Sequence, residues 1–423
     1  MAAPGLRYDQ APPFAVPLRF FLTAPLFLVA AALVVGFRGE ELFASRFSPA
    51  ALAATHLVTL GFMAMTMLGA MSQVLPVLAG VPLPRPRLVA ALAHAGITAG
   101  TAALAGGFLW GAPGPLKAGV LLLGGGLGVF LAAVAIGLAR APNRAATGVG
   151  LALAALGLAV TVALGLELGA VRAWGRAAAN LAARDLHPAW GLFGWTGLLV
   201  AVVGFHVVPM FQMTPPYPAT MQRWLAPAVF ALLVAWSAAR WGGDLPRASV
   251  WLLGAVAGGW FAFAVTTIAL QARRRRPRAD ATLLLWRLGM ACAVAALAGW
   301  AASVALATDA IDVAVGVLAL VGFAVSVIAG MLHKIVPFLA WFHLRALVPP
   351  GRRVPHMGLL LPDPAQRRYV VAQAAAVAAM LAAVAAPPWM APVAAAALAL
   401  AALLLEWNLV TVLRAFRRAR DAA

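Results

Sequence analysis

Twelve runs of predominantly apolar residues, each close to or above the roughly 20 residues that carry a helix across a bilayer core, occupy most of this chain. They lie at 20–37, 50–79, 87–110, 115–139, 146–170, 187–213, 221–240, 248–271, 281–307, 312–342, 369–386 and 390–414. A soluble fold is excluded, because 64% of the 423 residues are hydrophobic and only 10% are charged. Within hydrocarbon only helices and closed barrels satisfy their own backbone, and these runs lack the alternation of barrel strands. The expected fold class is an all-α polytopic membrane protein with twelve transmembrane helices, one transmembrane domain over 1–423. The residues before position 20 show no cleavable leader, so the first run is expected to stay as an anchor. Pro387 and Pro388 separate the short, Ala-rich eleventh run from the twelfth.

The net charge of +19 does not point to nucleic acid, because the basic residues cluster at the ends of the apolar runs. Of 31 Lys and Arg residues, 21 fall on the side of the two termini, 8 on the opposite side, and Arg287 and Lys334 fall inside spans. The positive-inside rule then places both termini in the cytoplasm of a bacterial-type inner membrane. The run at 273–278 reads as a topology signal, and Arg287 with Glu406 as a candidate intramembrane pair. A single cysteine, Cys292, excludes a disulfide scaffold and any cluster that needs several thiolates.

The most informative internal pattern is a proline near the end of the second, sixth and tenth runs. GAMSQVLPVL contains Pro76, GFHVVPMF contains Pro209 and GMLHKIVPFL contains Pro337, at intervals of 133 and 128 residues. The spacing predicts three four-helix repeats, approximately 20–139, 146–271 and 281–414, related by a pseudo-threefold axis. Gln73 and His206 stand three residues before their prolines, and His333 stands four before its own. Inner helices of a threefold bundle would bring His206 and His333 together, with Gln73 and His94 nearby.

Ionisable groups are rare inside spans, so the histidines there are the candidate ligands. His94, His206 and His333 share a depth by residue count, and with Gln73 they form a candidate metal set; Met71, Met210 and Met331 lie close by in sequence and would suit copper(I). His56 and His187 lie at the other ends of the second and sixth runs, and His56, His187, His206 and His333 are the candidate cofactor-binding residues. Each imidazole also has a plain structural reading as a hydrogen-bonded packing residue. His343 and His356 are expected at solvent or headgroups, Asp309 and Asp312 at the cap of the tenth helix, and the glycines at 124–126 in close helix packing. No phosphate loop, nucleophile elbow or zinc-protease motif occurs, and no catalytic residue is identified.

With its twelve spans and the stretch THLVTLGFMAMTMLGAMSQVLPV, the chain resembles the haem-copper oxidase superfamily core, including nitric oxide reductase catalytic subunits and NnrS-type membrane proteins. His56 then stands where that superfamily places a low-spin haem ligand, and His187, followed by Pro188, looks like its copper ligand on the sixth helix. The seventh run has no histidine pair and the outer half of the tenth has aspartates instead of histidines, so a complete oxygen-reducing centre is not implied. The resemblance implies a haem-binding membrane protein, with haem b as cofactor and copper as a further candidate, linked to nitric oxide, oxygen or respiratory metabolism. Membrane lipids and an electron donor or respiratory subunit would be its partners. Two alternatives stand beside it: a transporter or metal-handling permease, and a degenerate oxidase-fold subunit acting as an assembly partner.

Overall fold

The structure is a computed structural model describing residues 12–140, 146–243, 246–276, 278–347 and 355–421. Among these residues there is no strand, and twelve helices are long and apolar enough to cross a membrane. They are α1 (Ala15–Ala44), α2 (Pro49–Ala79), α3 (Pro86–Trp110), α4 (Pro113–Ala139), α5 (Ala146–Trp174) and α6 (Ala183–Gln212). There follow α7 (Ala219–Gly242), α8 (Pro246–Ala272), α9 (Ala281–Leu306), α10 (Asp309–Leu347), α11 (Asp363–Ala385) and α12 (Pro387–Asp421). All-α polytopic architecture is thus what the apolar runs predict.

Several helices outrun the apolar segments that announce them. Hydropathy marks only the part matched to hydrocarbon, whereas helical hydrogen bonding continues into the polar flanks. Thus α1 extends to Ala44 through non-helical dihedrals at Arg38, whose guanidinium pairs with Glu41, and α12 carries its arginines out to Asp421. The start of α10 is capped by Thr308, whose hydroxyl accepts from the Ile311 amide, and not by the aspartates expected there. Asp309 instead bonds Ser45 at 3.2 Å and Asp312 pairs with Arg46 at 3.3 Å.

The chain forms two compact units, one of residues 71–275 and the other of residues 13–70 with 276–423. The division does not follow the expected repeats, since the first of them is shared between both units. Within the first unit α3 and α4 form a close hairpin in which Gly96 and Gly126 face each other; a Cβ on Gly96 would lie 2.8 Å from the Gly126 Cα. The close packing expected for the 124–126 glycines therefore holds for Gly126. Gly125 faces open space, and a Cβ there would meet nothing within 4 Å.

The proline-marked helices share a second feature that apolar patterning does not reveal. Each contains an eight-residue π-helical segment: Leu57–Ala64 in α2, Trp190–Gly197 in α6 and Leu318–Val325 in α10. Each segment opens 19 residues before its proline, and each has glycine followed by an aromatic residue: Gly61–Phe62, Gly194–Trp195 and Gly322–Phe323. At Gly61 and Gly322 the missing side chain lets the preceding long helix come close, and in the middle pair Gly157 of α5 does so. Gly61 lies against Phe27 of α1, the Gly194 carbonyl against Gly157 of α5, and Gly322 against Cys292 of α9. Each of three helix pairs, α1 with α2, α5 with α6, and α9 with α10, thus has a glycine at its close approach, in the π segment of α2 and α10 and on the facing helix α5 in the middle pair. π-Helical segments interrupt the usual i to i+4 ladder and are concentrated at functional positions.

Candidate functional site

Register against the shared proline and π segment decides which side chains are equivalent. Gln73, His206 and Lys334 each stand three residues before their proline, so Lys334, not His333, occupies the repeated position. In the first unit His206 Nε2 is 2.8 Å from Thr147 Oγ1, on the second residue of α5. In the second unit Lys334 Nζ is 3.0 Å from Asp280 Oδ2, and Asp280 is the N-cap of α9, accepting from the Leu283 amide at 3.0 Å. The repeated position thus ties the second helix of a pair to the beginning of the first, once by a neutral bond and once by an ion pair. Gln73 has a buried Oε1 without a hydrogen-bond partner among the described residues.

His333 is engaged on both ring nitrogens. Its Nδ1–H donates to the Ala329 carbonyl at 2.7 Å, and Nε2, 3.0 Å from Asn408 Nδ2, accepts from that amide. Its ring lies 4.9 Å from that of Tyr369. Next to it, Gln373 Nε2 donates to the Val321 carbonyl of the α10 π segment at 2.9 Å and to Ser326 Oγ at 3.1 Å. Tyr369 donates to Gln373 Oε1 at 3.3 Å. Ser326, His333, Tyr369, Gln373 and Asn408 are all at most 1% exposed, a buried polar strip joining α10, α11 and α12. Burial without partners would cost each group its hydration, so mutual bonding is what makes the strip tolerable. Coordination by His333 would require it to give up Asn408.

The other candidates are held differently. His56 is the last α-helical residue before the α2 π segment, and its Nδ1 is 2.7 Å from the Leu52 carbonyl. A carbonyl only accepts, so in the neutral imidazole Nδ1 carries the proton and Nε2 the lone pair. That is the tautomer an axial ligand needs, held by the kind of backbone bond that orients ligating histidines. His187 lies across α5: its Nδ1 is 3.1 Å from the Thr161 carbonyl, and Gly165 leaves the space its ring fills. His94 is half-buried on α3, in the same unit as Gln73 and His206. Among the described residues no three His, Cys, Asp or Glu side chains gather as a metal-binding group. The expected approach of His206 to His333 is not carried by either side chain's hydrogen bonds, which run to Thr147 and to Ala329 and Asn408.

Among the described residues the buried Glu406 Oε2 atom of α12 has no hydrogen-bond partner. His343 is half-buried and packed against Phe14, ring centroids 5.3 Å apart, while His356 accepts from the Gly358 amide at 3.1 Å and caps the turn Met357–Leu360. Sequence reasoning overlooked Asn408, Gln373 and Tyr369. The signal was present, since uncharged polar residues inside long Ala/Leu runs need partners. No protein-family model matches the chain, and no curated protein matches it.

Proposed function

We propose that this chain is a haem-binding protein of a bacterial-type cytoplasmic membrane, with both termini in the cytoplasm, acting in nitric oxide, oxygen or respiratory metabolism. The observation that carries the reading is His56, presented at the entrance of a π segment with Nδ1 held by the Leu52 carbonyl. A neutral imidazole oriented through Nδ1 has the donor chemistry of an axial haem ligand. Bound haem would supply one-electron chemistry or a coordination position for a diatomic gas. The protein's own contribution is to fix the imidazole tautomer, to surround it with apolar helix and to exclude water. The three equivalent helix pairs are read as the inner parts of a pseudo-threefold bundle, in keeping with the oxidase-core resemblance.

The permease reading is favoured by one observation, the buried Oε2 of Glu406 within α12, which has no hydrogen-bond partner among the described residues, because an ionisable group inside a span marks a functional position by default. The test is His56→Ala, with haem content and the reduced-minus-oxidised spectrum as readouts. Loss of the haem bands from a protein that still unfolds cooperatively is expected. Unchanged bands in the folded variant exclude His56 as the ligand.

A further inference from the structure

On the first unit a groove of about 830 Å³ runs between α4 and α5, within the roughly 300–1,000 Å³ typical of small-ligand clefts. Its floor contains Gly124 and Gly125, and its walls include Leu166, Glu167, Trp174 and Arg176. Helix packing does not require Gly125, whose Cβ would enter open space. Two opposite charges line the groove, yet among the described residues neither Glu167 nor Arg176 makes a hydrogen bond or ion pair. Glu167 is seven residues before Trp174, about 10 Å deeper along α5 at 1.5 Å per residue. Trp174 ends the helix beside Arg176, and Lys117 Nζ stands 5.8 Å over its ring. Aromatic and basic residues grouped at a helix end mark the headgroup level.

A ligand complementary to this arrangement has three parts in order: an anion at the basic rim, a hydrogen-bond donor deeper down facing the Glu167 carboxylate, and an apolar chain beyond. We propose that the groove binds a single-chain phosphoamphiphile of the lysophospholipid class. Its phosphate meets Arg176 and Lys117, its free glycerol hydroxyl donates to Glu167, and its acyl chain passes Gly124 and Gly125 toward Ala163. An ordinary diacyl phospholipid lacks the donor, because both hydroxyls between phosphate and chains are esterified. The ammonium of an aminophospholipid lies on the far side of the phosphate, away from Glu167. The site is independent of haem.

The test uses the full chain in phosphatidylcholine nanodiscs, with radiolabelled oleoyl lysophosphatidic acid and dioleoyl phosphatidic acid as probes. The wild type is expected to retain the single-chain probe at least tenfold better than the diacyl one. Gly125→Leu fills the groove without meeting other atoms at its Cβ, so it is expected to abolish retention while leaving thermal unfolding unchanged. Glu167→Leu should reduce the single-chain probe to the level of the diacyl probe, and Arg176→Ala should weaken both. Equal retention of both probes, insensitive to Glu167→Leu, would identify ordinary boundary lipid and overturn the assignment. Undiminished binding to Gly125→Leu would do the same.

Discussion

Replacement of Gly157 by leucine is expected to abolish recovery of folded protein from the membrane. Any Cβ at this position falls on the Gly194 carbonyl, inside the π segment of α6, and 3.1 Å from the Trp195 amide nitrogen. The obstacle is backbone, so no rotamer change relieves it; α5 and α6 must move apart. Overpacking in a well-packed core ordinarily costs about 1–3 kcal/mol, and a clash with main chain belongs at or above the top of that range. Separation of the helices would also pull His187 off the Thr161 carbonyl. Gly125→Leu, a chemically identical change on the open face of α4, is the control that should fold normally. Size-exclusion profiles of the two variants in detergent decide the matter: a monodisperse Gly157→Leu peak of wild-type yield would show that the close approach is dispensable.

The second large effect is expected at Asp280. This side chain caps α9 through the Leu283 amide and neutralises Lys334, whose side chain is only 24% exposed. Arg276, 3.6 Å away but half-exposed, adds little. Loss of a cap costs about 0.5–2 kcal/mol, and leaving a mostly buried cation unpaired costs several more, lessened here by the part of Lys334 that water reaches. Asp280→Ala is therefore expected to destabilise by about 2–4 kcal/mol. Lys334→Met removes the stranded charge, so the double variant should be more stable than Asp280→Ala alone. Thermal unfolding of the four proteins gives the coupling; additive losses would show that the ion pair contributes nothing.

What could be read in the sequence, and what could not, follows from the range of the interactions involved. Apolar runs report a local quantity, the cost of exposing a helix to water or lipid, so all twelve spans were legible. The prolines at 76, 209 and 337 were legible for the same reason, since proline acts on its own helix. The π segments were not legible, although Gly61–Phe62, Gly194–Trp195 and Gly322–Phe323 stand in register with those prolines. A glycine before an aromatic residue has that meaning only when another helix presses on it, and Phe27, Gly157 and Cys292 are distant in sequence.

The candidate ligands divide along the same line. For His56 the partner that orients the ring is Leu52, four residues away on its own helix and so within the range of local sequence. For His333 the decisive partner is Asn408, 75 residues away, and for His206 it is Thr147, 59 residues away. Residue depth groups these histidines, and tertiary packing gives each its own hydrogen-bond partner. The offset from the proline leads to Lys334 and hence to the cap of α9.

The most direct measurement is the absorption spectrum and haem content of the wild-type protein, purified from cells with ample haem supply. Haem in proportion to protein, with a Soret band that shifts on reduction, is the predicted result; a further shift with carbon monoxide would mark an open coordination position. A colourless, monodisperse and cooperatively unfolding wild type would contradict the haem reading and leave the permease reading in its place.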